Sequence, residues 1–246
     1  MNRAVGFIVA ALVAGSGCGD DSGPPPMTND ELMARLRALH GVTVQEGDSA
    51  PENFSYYILH FTQPIDHHDP SKGTFQQQVS LLHHNELAPF PLIVYTSGYA
   101  DEDGGTPVEL TTLLDANQIS IEHRFYGTSQ PDPVDWSMLT VEQAAMDEHD
   151  IIQALRTIYA GSFLSVGESK GGITALAHRR FYPDDVRGTV AYVAPMSFNV
   201  PDPRYPDQLD QVGMPTLSDC HAAVRDLASM MLSRRAQMLD LARSDA

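Results

Sequence analysis

The stretch "FLSVGESKGGITALAHRRFYPDDV", Phe163 to Val186, constrains this chain more than any other. The apolar run "SFLSVG" reads as a strand, Glu168 to Gly171 as a turn, and "GGITALAHRRFY" as a helix that stops at Pro183. Ser169 stands in that turn, flanked at two residues on either side by Gly167 and Gly171. A G-x-S-x-G spacing arises by chance in about one chain in twelve of this length, so its context decides its meaning. A serine between a strand and a helix N-terminus occupies a strained turn that lifts its hydroxyl above the sheet edge. Flanking glycines remove side chains that would collide there. The alternative is a structural Gly-Ser turn in which Ser169 caps the helix.

The neighbouring segments supply a sheet for that turn to sit on. "FSYYILHFTQPID" from Phe54 and "TFQQQVSLLHHN" from Thr74 carry β-branched, aromatic and alternating residues, and "HHDPSKG" between them makes a hairpin. "PLIVYTSG" from Pro91 is a continuous apolar run, as a strand buried on both faces requires. Further strands are expected at Gln118–Phe125 and Arg187–Phe198. A short amphipathic helix is expected in "DELMARLRAL", with Leu32, Leu36 and Leu39 on one side. From Thr140 to Tyr159 a longer helix opens on a Thr140/Gln143 capping box and aligns Val141, Ala145, Ile152, Leu155 and Tyr159. Strands alternating with helices after an antiparallel start predict a mainly parallel, two-faced α/β sheet. In such a fold the backbone N–H of Lys170 is one oxyanion donor, and Gly98 or Tyr99, in the glycine-containing loop after "PLIVYTSG", is the second.

Charge limits the partners. Lys+Arg 15 against Asp+Glu 32 leaves a net charge of −17, which repels nucleic acid and anionic lipid headgroups. With 42% hydrophobic residues the chain has the material for a core. At the N-terminus, Arg3 followed by the apolar Ala4–Ala14 and small residues reads as a signal peptide over 1–17. Cys18, preceded by Gly15, Ser16 and Gly17, resembles the lipidated cysteine of a bacterial lipobox, although Gly15 stands where that motif has an apolar residue. Lipid anchoring to the cell envelope and plain secretion are the two expectations, with no other membrane contact. Residues 18–29 read as an acidic, Pro-rich tether, and Cys220 as a free thiol.

Other chemistry-bearing residues are secondary. "EHRFYG" places Glu122, His123 and Arg124 at the end of a strand, where the crevice of an open α/β sheet lies. They read as ion-paired scaffold, with Glu122 also a candidate substrate contact. His67, His68, His83, His84 and His178 lack companions at metal-ligand spacing, so neither a metal nor another cofactor is expected.

"TSGY", "LLDANQISIEHRFYGTSQP", "DWSMLTVEQAAMDEHDIIQAL", "GESKGGITALAHRRFYPDDV" and "GTVAYVAPMSF" together resemble the secreted bacterial tripeptidyl aminopeptidases. These are α/β-hydrolase serine peptidases related to lysosomal Pro-X carboxypeptidase. The resemblance runs from Gln63 to Met196 and more weakly into "SDCHAAVRDLASMMLSRR". It implies an α/β-hydrolase sheet, Ser169 as the nucleophile of a serine-type exopeptidase, and peptides with free N-termini as substrates. An esterase or lipase of the same fold is the rival. One departure is Glu168, where the family has a small residue; its carboxylate is either a contact for the substrate amine or a solvated side chain at the rim.

A serine hydrolase also needs an acid and a histidine, which in α/β-hydrolases follow the serine in that order. After Ser169 only His178 and His221 remain. His178 lies about two turns along the nucleophile helix, pointing away as a surface or packing residue. His221, with Asp202, Asp207, Asp210 or Asp219 before it, falls in the first turn of another helix. In the resembling family that region opens a helical cap, with the acid and histidine beyond it. The resulting expectation is a partial hydrolase domain over 30–200 and the start of a cap over 201–246, the front part of a longer enzyme. Alone it would be feeble in catalysis, or a non-catalytic, membrane-tethered peptide-binding remnant. A downstream chain carrying the missing Asp and His is a possible partner under this reading.

Overall fold

A computed structural model describes residues 27–85, 90–101 and 104–244, so the signal, Cys18 and most of the tether lie outside the described residues. The chain forms two compact units, one running to Pro195 and one from Met196 onward.

The first unit is built on seven strands: β1 Val42–Glu46, β2 Phe54–Pro64, β3 Thr74–His84, β4 Leu92–Thr96, β5 Asn117–Ile121, β6 Phe163–Glu168 and β7 Gly188–Tyr192. Their order is β1-β2-β3-β5-β4-β6-β7. β1, β2, β3 and β5 pair antiparallel in turn, while β5, β4, β6 and β7 pair parallel. The hairpin is in register from Phe54 opposite His84 to Pro64 opposite Thr74. Its loop turns through Gly73 at φ +100, left-handed backbone that a glycine tolerates without strain.

β4 lies inside the sheet and packs on both faces, which its continuous apolar sequence requires. Leu92 and Val94 join the larger core with helix α1 (Asn29–Arg37) and helix α3 (Val141–Leu155), whereas Ile93 faces a smaller cluster with Val166, Val108 and Leu110. Helix α1 begins on a full capping box: Thr28 Oγ1 accepts from the Glu31 N–H, and the Thr28 N–H donates to Glu31 Oε2 at 3.0 Å. Its Leu32 and Leu36 are fully buried.

Helix α3 departs from the expected box. Thr140 accepts from the Gln143 N–H at 3.2 Å, but the Gln143 side chain accepts from the His67 N–H and donates to Asp66. A long-range partner outcompetes the local reciprocal bond. Val141 is 53% exposed, and the inward face is Ala144, Ala145, Ile151, Ile152 and Leu155. Strand β5 ends at Ile121, four residues earlier than expected, because the Tyr126 N–H donates to the His123 carbonyl and turns the chain. Strand β7 likewise ends at Tyr192 and not Phe198. Strand β1 and helix α2 (Glu109–Leu114) add two elements the sequence reading did not separate.

The second unit contains α5 Arg204–Gln211, α6 Ser218–Ser233 and α7 Arg235–Ser244. Asp202 opens it, accepting from the Arg204 N–H at 3.1 Å and from its guanidinium. Cys220 is a free, exposed thiol. Among the described residues no helix is long and apolar enough to cross a membrane.

Candidate active site

Strand β6 delivers Ser169 directly to the N-terminus of helix α4 (Lys170–Phe181). Ser169 has φ 54 and ψ −120, a conformation that a residue with a side chain adopts only where its surroundings impose it. Two backbone bonds do so: its N–H donates to the Tyr192 carbonyl at 3.0 Å, and its carbonyl accepts from the Ile173 N–H at 3.1 Å. A capping serine has extended backbone and bonds the helix N–H groups. Ser169 stands at the N-cap position but makes no such side-chain bond, and its exposed hydroxyl is not spent on capping the helix.

The glycines are explained by contact. A Cβ on Gly167 would strike the Gly171 carbonyl, and one on Gly171 would strike the Thr96 carbonyl. Gly98, at φ +79, lies so close that its Cβ would fall on the Gly171 nitrogen. The loop after β4 therefore rests its backbone on the first turn of α4, which is the close approach an oxyanion pocket needs.

Lys170 ties the two together. Its Nζ donates to the Gly98 carbonyl at 2.7 Å and lies over the rings of Tyr99 and Tyr126, at 5.3 Å and 4.8 Å. Burial pulls its ammonium down to about 8, against the opposing pull of Glu148. As the first residue of α4 its own N–H has no intrahelical acceptor. Of the two expected second donors, the Tyr99 N–H is engaged by Ser97 Oγ at 3.3 Å, while Gly98 is the residue pressed against the turn.

Glu122, the other candidate substrate contact, is buried among loop hydrogen bonds. It is 2% exposed, with Oε1 accepting from the N–H groups of Thr128 and Ser129 and Oε2 accepting from the Asp101 N–H at 2.9 Å. Its carboxylate organises two loops and has no open face. Arg124 is fully buried and ion-paired: Nε and Nη2 donate to Asp147 at 2.7 and 2.8 Å, and further bonds reach the carbonyls of Pro64, Ile65 and Met138. The His123 N–H donates to the Tyr99 carbonyl at 3.0 Å, linking this cluster to the Gly98 loop. Desolvation, then Lys170, lowers the His123 imidazole to about 4.

Sequence reasoning did not single out Asp147 and Glu148, which lie within the helix expected from Thr140 to Tyr159. Glu148 is buried under the site, accepting from Thr96 Oγ1 at 2.9 Å, and burial raises its carboxyl to about 8. His178 is fully buried with Nε2 at 3.0 Å from Asp185, a packing residue of α4. His221, on α6 of the second unit, donates from Nε2 to the Leu209 carbonyl at 3.2 Å. On the sheet face with α2, a cavity of about 400 Å³ is lined by Tyr95, Glu109, Glu168 and Tyr192 among others. The Tyr192 hydroxyl donates to Glu109 at 2.7 Å, and Glu168 is exposed.

The PS-10 peptidase S37 family model matches residues 26–242, beyond the Gln63–Met196 span of the quoted motifs. A prolyl tri/tetrapeptidyl aminopeptidase of Streptomyces mobaraensis is 39% identical over 196 residues, 80% of this chain and 40% of that protein. The chain thus spans two fifths of the length of that relative. Among solved structures, acetyl xylan esterase 1 from Thermoanaerobacterium sp. is 14% identical with a TM-score of 0.49, covering 82% of this chain and 68% of its own. Proline iminopeptidase from Mycobacterium smegmatis is 17% identical with a TM-score of 0.49, covering 70% of this chain and 56% of its own. A family match that takes in the Ser169 turn and both units, joined to a relative alike over four fifths of the residues, decides the assignment: the chain belongs to the peptidase S37 family.

Proposed function

We propose that this chain carries the nucleophile and oxyanion side of a serine exopeptidase that releases tripeptides from peptides with a free N-terminus. The observation behind the reading is Ser169, held at positive φ between β6 and α4 without a capping bond. In this reading Ser169 Oγ attacks the scissile carbonyl, and the oxyanion is received by the N–H groups of Lys170 and Gly98. The proton needs a histidine; His178 is buried on Asp185 and His221 is engaged by Leu209, so neither is assigned that role. The acid and base then come from protein outside these residues. Export through residues 1–17 with acylation of Cys18 belongs to the same proposal, and fatty-acid labelling is expected to be lost in Cys18→Ala.

The carboxylates of Glu168 and Glu109 beside the nucleophile suit a substrate ammonium, a contact worth roughly tenfold in binding. With the acid and base supplied, Glu168→Gln is therefore expected to raise KM for a free tripeptide reporter roughly tenfold with kcat little changed. The acetylated reporter should be turned over poorly by both proteins. Equal turnover of free and acetylated reporters, or efficient hydrolysis of simple esters alone, would instead support an esterase of this fold.

A further inference from the structure

We infer that the first unit holds a second site, a basic cavity that binds a compact oxyanion of the phosphate class, at the end of the sheet opposite Ser169. The cavity, of about 640 Å³, is lined by Ser162 and Phe163 where β6 begins, and by Arg156, Arg179, Asp184 and Arg187 among others. Six residues of strand separate Phe163 from Ser169, about 20 Å at the usual rise per residue.

The charge balance there is the reverse of the chain's. Acidic residues outnumber basic ones 32 to 15 over the whole chain. Arg124, Arg204, Arg225, Arg243 and Lys72 are ion-paired with carboxylates. Among the described residues other cations, such as Arg35, Arg37 and Arg180, form no ion pair either; Arg156, Arg179 and Arg187 are set apart because they meet around one cavity. Asp184 is the single carboxylate in the lining and forms no ion pair with them. Three guanidiniums against one carboxylate leave a local excess of positive charge.

Two of these guanidiniums are already oriented. Arg156 Nη2 donates to the carbonyls of Asp184, at 3.1 Å, and Asp185, and its guanidinium rests on the Phe163 ring at 5.3 Å. Arg179 Nη1 donates to the carbonyls of Pro183 and Val186. Carbonyl oxygens fix direction without neutralising charge, and a guanidinium has five N–H donors, so each keeps donors for an oxyanion. Arg187 makes no side-chain bond among the described residues and completes the set. A net charge of −17 repels extended anionic surfaces but not a small anion that enters a local positive pocket, which selects the compact ligand.

The test is calorimetric titration of the full chain with inorganic phosphate, with chloride balanced to constant ionic strength. Saturable one-site binding is expected, weakened about tenfold in Arg187→Gln and unchanged in Arg35→Gln, an exposed arginine of α1. Because Arg187 holds no backbone group through its side chain, the variant should unfold at the temperature of the parent. Absence of saturable binding, or equal affinity in Arg187→Gln, overturns the inference. Sedimentation with phosphatidylglycerol vesicles in place of phosphate binding would also overturn it, because the ligand would then be a membrane surface.

Discussion

Ser169→Ala is expected to abolish labelling by a fluorophosphonate probe and, with the base supplied, to lower tripeptide release by about a millionfold. The variant keeps the positive-φ turn, because alanine occupies the same backbone and the bonds that impose it, to Tyr192 and Ile173, are made by main-chain groups. What remains is the oxyanion pocket and substrate binding, on the order of a thousandfold over water. His221→Ala should leave labelling of Ser169 as it is, since the His221 imidazole is engaged within its own unit at Leu209. Rapid labelling that disappears in His221→Ala would make that histidine the base. Persistent labelling of Ser169→Ala would remove Ser169 as the nucleophile.

Asp147→Ala is expected to cost about 3–5 kcal/mol of stability, because it strands the Arg124 charge in a site sealed from water. Both partners are buried, at 0% and 1% side-chain exposure, and joined by two bonds of 2.7 and 2.8 Å. Asp147 also takes His67 Nε2 at 2.7 Å, so one substitution orphans two groups. For a unit of this size the melting temperature should fall by roughly 10 °C, read by calorimetry. The double variant Arg124→Met/Asp147→Leu is expected to lose less than Asp147→Ala alone, since it leaves no unpaired charge. A loss below about 1 kcal/mol in Asp147→Ala would mean that Arg124 finds other compensation. The same variant should lower activity, as the Arg124 turn carries His123, which holds the Tyr99 carbonyl next to Gly98.

The predictions differ in how far the sequence foretells them. The Ser169 turn was legible because its requirements lie within five residues: Gly167 clears space for the backbone of Gly171, and strand and helix patterns flank the pair. The reverse held for Gly98, whose contact with Gly171 spans 73 residues and leaves only a glycine in a loop as its trace. Elements were read correctly where side-chain period sufficed, as in the β2–β3 hairpin and the continuous apolar run of β4. They were misjudged where a distant group competed, as when Gln143 left Thr140 for His67 and Asp66.

By itself, then, the sequence determined the backbone chemistry of the nucleophile turn, the two-faced parallel strands and the acidic balance of the chain. These rest on local sterics, periodicity and composition, which no partner can alter. Only the tertiary structure decided which charges are buried and whom they meet. Glu122 became a buried organiser of two loops, Asp147 and Glu148 turned inward from an acidic helix, and Arg156, Arg179 and Arg187 came together without a carboxylate partner. The physical reason is that an ionisable side chain's role depends on its desolvation and on its neighbours within a few ångströms. Those neighbours come from strands and helices that are distant along the chain.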